Sequence, residues 1–568
     1  METANFSAWN PGIETEIPAA YLGYKTIACS ANVESDIADI EELKQLTGLN
    51  YEELVAFKPQ RLVLHELIVR VTADLVVLEG ELEEDLGKNF RRMTLQILQQ
   101  YIQPEMAEIE QAYAQLRQQL RQQIGRILDQ TLFHTERTPA PERGFWQRLF
   151  SSRHTIPAVP AESSSEKVFR VISEYREKGI AATDPLESAI YHSLYRVLGS
   201  TSSRSGYLGN DRDFLVRLVS QHTLNGYGSR EIGRLIQPMI DCAAEAQGYG
   251  LIRNVASPAL FSLKGASAAG KSSLRPMLDR MMQERGVATD CYATISPDIW
   301  RRLLLDYEAL GEAYKYAGPF SSDEVVIIDA KLDRYIRDKA QRYQSIPHLL
   351  VDRFRFDSFS TERISRVLHG TYAEYVETLF MYFVVTPPEA TVERGWERGL
   401  IKGRYKAVED FLGHSVEAYE GMPKILFKWL AHERPDFRYE FLDNSVPKGT
   451  FPETIARGNQ KQISIYKPML LVNMERYRKI NIRARSPQEV YPDAEKMAVS
   501  ANLGFIRRCI REIPEVHFCD PISHECYLSF RDGAPNEQEP ALLRKQLANP
   551  EMADLLGLLS PALVSELL

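Results

Sequence analysis

The sequence predicts a multidomain protein: a helical N-terminal half, a central α/β domain built on a five-stranded parallel sheet, and a mixed α+β C-terminal region. Three observations carry this reading. Apolar residues recur in steps of three and four before residue 250, five short apolar runs alternate with helical stretches between 251 and 458, and the pattern turns mixed from 459 to 568. At 568 residues, a scale of about 150 per domain allows three or four folding units. Apolar residues make up 44% and charged residues 26%, which excludes collagen-like, wholly disordered and disulfide-scaffold classes.

The first region, 1–134, is expected to be helical. Its clearest stripe runs Ile109, Tyr113, Leu116, Leu120, Ile124 and Ile127 between Gln, Glu and Arg residues, and suits an antiparallel helical hairpin or short coiled coil. Pro104 should start or kink that segment. Residues 135–166 are dense in Pro, Ser and charge, the composition of an exposed linker. A second helical region follows over 167–250, broken by a turn-rich stretch at 199–210. The N-terminal helices are a candidate docking surface for a protein partner.

In the central domain the apolar runs at 259–263, 291–295, 348–351, 379–385 and 437–442 read as strands joined by helical crossovers. The C-terminal region, 459–568, contributes a helix near 491–511, two strand-like pieces around 515–530 and terminal helices. No internal repeat of solenoid or propeller period is present.

Residues 265–272 read Gly265, Ala266, Ser267, Ala268, Ala269, Gly270, Lys271, Ser272, a full match to G-x-x-x-x-G-K-[ST], with Ser273 behind it. A chance match in a chain of this length has a probability of about 2% at average residue usage. The context also fits, because a strand precedes the motif and Leu274, Met277, Leu278 and Met281 give the following helix an apolar face. Such a turn lets consecutive backbone N–H groups converge on phosphate oxygens at a helix N-terminus. Lys271 would reach the β- and γ-phosphates of a nucleotide, and the Ser272 hydroxyl would coordinate Mg²⁺. Pro276, in the second turn of that helix, removes an N–H and has no functional account.

After the second strand, Ser296, Pro297 and Asp298 look like an N-cap, a first-position proline and a first-turn acid. Asp298 at that strand end could also accept a proton from an acceptor hydroxyl across the cleft. The third strand closes on Asp352, the better candidate for an acid on the Mg²⁺ side. The rival, Asp329, ends a Val-Val-Ile-Ile run, but Ser321 and Glu324 read as a capping box, and Val325, Ile328, Leu332, Tyr335 and Ile336 continue at helical spacing. Residues 322–343 are therefore expected to be a helix with Asp329 at its surface. Beyond the fourth strand, Arg394 and Arg398 are four apart on one helix, and Arg404 follows a glycine hinge. Arginines over a phosphate site can neutralise charge on a transferring phosphoryl group.

In this order the parts resemble the zeta-toxin family of P-loop kinases over residues 251–458. The matching features are Gly265–Ser272, an Asp-x-x-Arg unit at Asp298 and Arg301, the strand ending in Asp352, Pro387, Arg398 in a Glu-Arg unit, and Arg404. The resemblance implies ATP bound on the P-loop, Asp298 as the base that deprotonates a sugar hydroxyl, and Arg398 and Arg404 as lid arginines. Studied members phosphorylate UDP-N-acetylglucosamine. Family members commonly carry Gly-Thr after the strand-three acid, whereas this chain has Arg353 and Phe354.

The sequence-based expectation is thus an ATP- and Mg²⁺-dependent kinase acting on a hydroxyl of a small metabolite, in which Asp298, Lys271, Arg398 and Arg404 carry the chemistry. The alternatives are a nucleotide-dependent switch or scaffold and a kinase acting on a macromolecule. A formal net charge of -9 argues against nucleic acid as the partner. Six irregularly spaced cysteines read as free thiols, and with no signal-peptide pattern and no apolar run near 18 residues, the cytoplasm is expected and no membrane partner. Delivery to another cell without a cleavable signal stays open. His517, Cys519, His524 and Cys526 could face one another on paired strands as an N₂S₂ metal site, but their spacing fits no common zinc motif and favours ordinary hairpin residues.

Overall fold

The computed structural model describes residues 6–133, 164–284, 286–353, 374–491 and 493–561. The expected linker at 135–166 lies almost wholly outside them, as does Phe354. The chain divides into two compact units, one made of Met1–Thr26, Leu67–Ile97 and Asp241–Leu568, the other of Ile27–Glu66 and Leu98–Ile240. Residues 67–97 therefore group with the α/β part of the chain.

The smaller unit is helical. Met106–Leu128 buries Ile109, Tyr113, Leu120, Ile124 and Leu128, so the apolar stripe faces inward as its spacing requires. Pro104 lies in the short 3₁₀ turn Gln103–Glu105 that starts this helix. Ser164–Ala181 and Pro185–Ser205 follow, the second capped by the Asp184 carboxylate at its N-terminus and by left-handed Gly206 at its end.

In the larger unit the expected strands appear as β1 (Ala259–Gly265), β2 (Tyr292–Ile295), β3 (His348–Asp352), β4 (Thr378–Val385) and β5 (Asp436–Asp443). They pair in parallel in the order β5-β4-β1-β3-β2. The five-stranded parallel sheet is not a sheet of its own, however. It continues through β6 (Glu453–Asn459), β7 (Gln462–Ile465), β8 (Glu515–Cys519), β9 (Cys526–Arg531) and β10 (Ala534–Gln538), giving ten strands of mixed direction. β6 pairs antiparallel with β5 across the limit expected at 458. Its Arg457, Gly458 and Asn459 break the apolar alternation, which is why the sequence pattern ends there. Pairing with β6 also covers the β5 edge, whose backbone groups would otherwise be exposed.

Ser322–Tyr343 is one helix, as the spacing predicts. Two details around it differ. The Ser321 hydroxyl donates back to the Ala317 and Gly318 carbonyls instead of capping the helix, so no capping box forms. Asp329, expected at the surface, is fully buried, and its carboxylate lies 2.8 Å from the Arg353 guanidinium, which also bonds Asp333 at 2.7 Å. A carboxylate on an apolar helix face is tolerated there because the cation supplied by the end of β3 neutralises it.

β8 and β9 form the expected hairpin, with Cys519 opposite Cys526 and all six cysteines as free thiols. His524 occupies a left-handed turn position and packs its ring 5.1 Å from Tyr466. Among the described residues no group of three or more His, Cys, Asp or Glu side chains is arranged to hold a metal ion. No helix among them is long and apolar enough to cross a membrane.

Candidate active site

Each of the strands β1 to β5 delivers a side chain or a loop to one cleft at the carboxyl edge of the sheet, as an open α/β topology dictates. The cleft encloses about 390 Å³. Lys271, Ser272, Asp298, Asp352, Arg398 and Arg404 all line it, so the structure brings together the six residues singled out for chemistry.

β1 ends at Gly265, and the loop turns into the helix Lys271–Glu284. A side chain at Gly265 would meet the Val384 carbonyl oxygen at 2.9 Å, and Gly270 has φ +96°, so both glycines are required by the path of the backbone. The loop is held from behind. The Ala269 carbonyl accepts from Thr386 Oγ1 at 3.0 Å and from Asn444 Nδ2 at 2.7 Å, residues beyond β4 and β5. Ser267, Ala268, Gly270, Ser272 and Ser273 face the cleft, whereas Ala266 and Ala269 are fully buried beneath it. The Lys271 ammonium donates to the Gly265 and Ala266 carbonyls, both at 2.9 Å, which holds it across the mouth of the loop. Burial pushes its pKa down to about 8, against the pull of Asp352 and Asp298.

Ser272 Oγ donates to Asp352 Oδ2 at 3.1 Å. These two hard oxygen donors side by side at the mouth of the loop suit Mg²⁺, which takes few protein ligands and completes its shell with phosphate oxygens and water. The same carboxylate oxygen is 3.3 Å from Arg275 Nη1 and 3.4 Å from Ser296 Oγ. Ser296 thus serves Asp352 instead of capping the short helix that follows it.

Asp298 stands on that short helix between two cations. Its Oδ1 accepts from Arg301 Nε at 2.9 Å, and its Oδ2 lies 2.9 Å from Arg404 Nη2. Burial raises its pKa, but Arg404 and Arg301 outweigh that and hold the carboxyl well below the usual range. It is ionised at any physiological pH.

The helix Pro388–Lys402 carries Arg394, Arg398 and Lys402 at intervals of four, a cationic stripe facing the cleft. Arg394 donates to the Asn444 carbonyl at 2.7 Å, and Lys402 pairs with Glu83. Arg398, between them, has buried Nε and Nη2 atoms without any hydrogen-bond partner. A desolvated guanidinium of this kind is costly unless an anion meets it. Lys406 also lines the cleft, and burial with Arg398 and Arg404 beside it pushes its pKa down to about 7.

The sequence reading missed Lys402, Lys406, Asn444 and two acids of the first region, Glu79 and Glu83. Lys402 could have been found, since it continues the four-residue spacing of Arg394 and Arg398. Arg353 turns away to Asp329 and Asp333 and does not line the cleft.

No family profile matches the chain, and no curated protein does. Among solved structures, one from the PezAT chromosomal toxin-antitoxin system of the human pathogen Streptococcus pneumoniae aligns with 35% of this chain and 74% of its own, at 15% identity and a TM-score of 0.26.

Proposed function

We propose that the chain is a P-loop kinase that transfers the γ-phosphoryl group of ATP to a hydroxyl of a small metabolite, with a nucleotide sugar such as UDP-N-acetylglucosamine as the acceptor class that the zeta-toxin resemblance implies. The observation that carries the reading is Arg398, whose buried Nε and Nη2 atoms have no hydrogen-bond partner and which shares its cleft with Lys271 and Asp298. Phosphate is one of the two anions, with carboxylate, that a guanidinium meets bidentately, and the one that the adjoining glycine loop is built to hold.

In this reading the loop N–H groups and Lys271 bind the β- and γ-phosphates, and Arg398 and Arg404 lie against the equatorial oxygens on which charge accumulates. Mg²⁺, when bound by Ser272 and Asp352, neutralises charge on the phosphates. The acceptor hydroxyl oxygen forms the new bond to the γ-phosphorus as the bond to the β-phosphate oxygen breaks and ADP leaves. Asp298 takes the hydroxyl proton. Because its two arginines make it a weak base, its main work is to orient the hydroxyl, with the proton moving late, as a loose transition state permits.

The test incubates the full chain with ATP, Mg²⁺ and a metabolite extract containing nucleotide sugars and follows any species that gains one phosphate by mass spectrometry. Wild type should produce one, and Asp298→Asn should lose transfer at least 100-fold while binding ATP within about two-fold of wild type. A nucleotide-dependent switch predicts no phosphorylated species and an Asp298→Asn variant that behaves like wild type.

A further inference from the structure

Residues 79–85, Glu-Gly-Glu-Leu-Glu-Glu-Asp, reach the kinase cleft from the first region of the chain. They belong to the same compact unit as the loop, although about 190 residues separate them from it in sequence. The Glu83 carboxylate lines the cleft, accepts from Ser273 Oγ at 2.8 Å and pairs with the Lys402 ammonium, which also has Glu84 at 3.9 Å. Ser273 follows the last residue of the P-loop motif, and Lys402 is the third cation of the stripe. A carboxylate there takes a hydroxyl and an ammonium that a nucleotide's phosphates would otherwise engage.

The segment is tied down by charge more than by apolar packing. Arg275, on the P-loop helix, donates from Nε to Glu79 at 2.5 Å and from Nη2 to the Glu83 carbonyl at 2.9 Å. Its Nη1 meets Asp352, so one buried guanidinium holds both the strap and the acid on the Mg²⁺ side. By contrast Leu78 and Leu82 are 63% and 56% exposed, and a cavity of about 360 Å³ lies beneath the strap, lined by Leu78, Glu79, Leu86, Asp279 and Ile299 among others. Burial pushes Glu83 up, but Lys402 and Ser273 outweigh it and keep the group below its ordinary range, so it is an anion at neutral pH. Gly80 at φ +79° sets the turn, where a side chain would strike the Asp85 Cβ at 2.5 Å.

We infer that residues 79–85 form an intramolecular strap that competes with nucleotide, with the Glu83 carboxylate holding Ser273 and Lys402 so that tight ATP binding requires the strap to withdraw. The inference rests on the proposal that the cleft binds ATP. It adds that the first region regulates that site.

The experiment uses the full chain and measures Mg²⁺–ATP affinity by calorimetry for wild type, Glu83→Gln and the double variant Glu83→Gln with Lys271→Ala. Glu83→Gln keeps the shape and removes the charge. It should tighten binding about ten-fold, the scale of one charge-assisted hydrogen bond, and the double variant should lose that binding. Affinity that is unchanged or weaker in Glu83→Gln, with ATP still bound in a Lys271-dependent way, overturns the strap while leaving the kinase reading intact. No ATP binding in any variant overturns both. Hydrogen exchange on the wild-type chain gives a second readout, in which saturating Mg²⁺–ATP should speed amide exchange in residues 78–85. If those amides become more protected instead, the strap closes over the nucleotide and the inference fails.

Discussion

The two halves of the ten-stranded sheet share one hydrogen-bond network and differ in what they do. On the parallel side, β1 delivers the glycine loop, β2 leads to Ser296 and Asp298, β3 ends in Asp352, and β4 and β5 lead to Thr386 and Asn444, all at one edge. On the other side, β6 to β10 reverse direction at most steps, and no residue of these five strands lines the cleft. Parallel strands collect their carboxyl ends on one side, whereas antiparallel strands distribute them over both. The second half instead covers the β5 edge and packs Phe505, from the helix Gly504–Glu512, against Phe441 and Phe427 at ring distances of 5.6 and 6.0 Å. The difference separates the candidate site from its support within a single sheet.

That separation can be broken at either end. The largest effect should come from the supporting half: Phe505→Ala removes a buried aromatic and should cost about 3–5 kcal/mol in denaturant unfolding. At temperatures where the variant stays folded, its ATP affinity should match wild type, and a large loss would mean that the second half shapes the site directly. On the chemical side, Lys271→Ala should weaken ATP binding about 100-fold by calorimetry with a small effect on stability, about 1 kcal/mol or less. Arg398→Met should separate function from stability, because it removes buried Nε and Nη2 atoms that lack a hydrogen-bond partner. Its unfolding free energy in denaturant should rise by about 1 kcal/mol, while phosphoryl transfer falls at least ten-fold.

The smallest effect is one of pH. Phosphate favours the charged forms of Lys406 and Lys271, whose pKa values in the free protein are held at about 7 and about 8 by burial. Both are charged at pH 6, so ATP affinity should be highest there and fall as pH rises through 7 and then 8. Each step should be a few-fold, and Lys406→Met should remove the first while leaving the second.

The chemical half of this comparison was legible in the sequence because its signals are local. Gly265 to Ser272 is a contiguous motif, the five strands are apolar runs bounded by turns, and Arg394 and Arg398 share a helix face by spacing alone. What escaped was decided by tertiary pairing. Asp329 looks like a surface acid until Arg353 arrives from β3 to neutralise it. β6 does not read as a strand that extends the sheet because Arg457, Gly458 and Asn459 interrupt its apolar pattern, and its place depends on the edge that β5 offers. Glu79 and Glu83 sit in an acidic stretch that resembles any solvated turn, and their partners come from far along the chain, Arg275 for Glu79 and Ser273 and Lys402 for Glu83.

The clamp on the Ala269 carbonyl has a consequence in the order of synthesis. Asn444 leaves the ribosome 175 residues after the carbonyl it holds, whereas Glu83 precedes Ser273 by 190. A nascent chain therefore carries the acid before it has the loop, and has the loop before it has the amide that fixes it. Domains acquire structure from the N-terminus as they emerge, so this cleft is born with its own anion at hand and receives the clamp on its loop only afterwards.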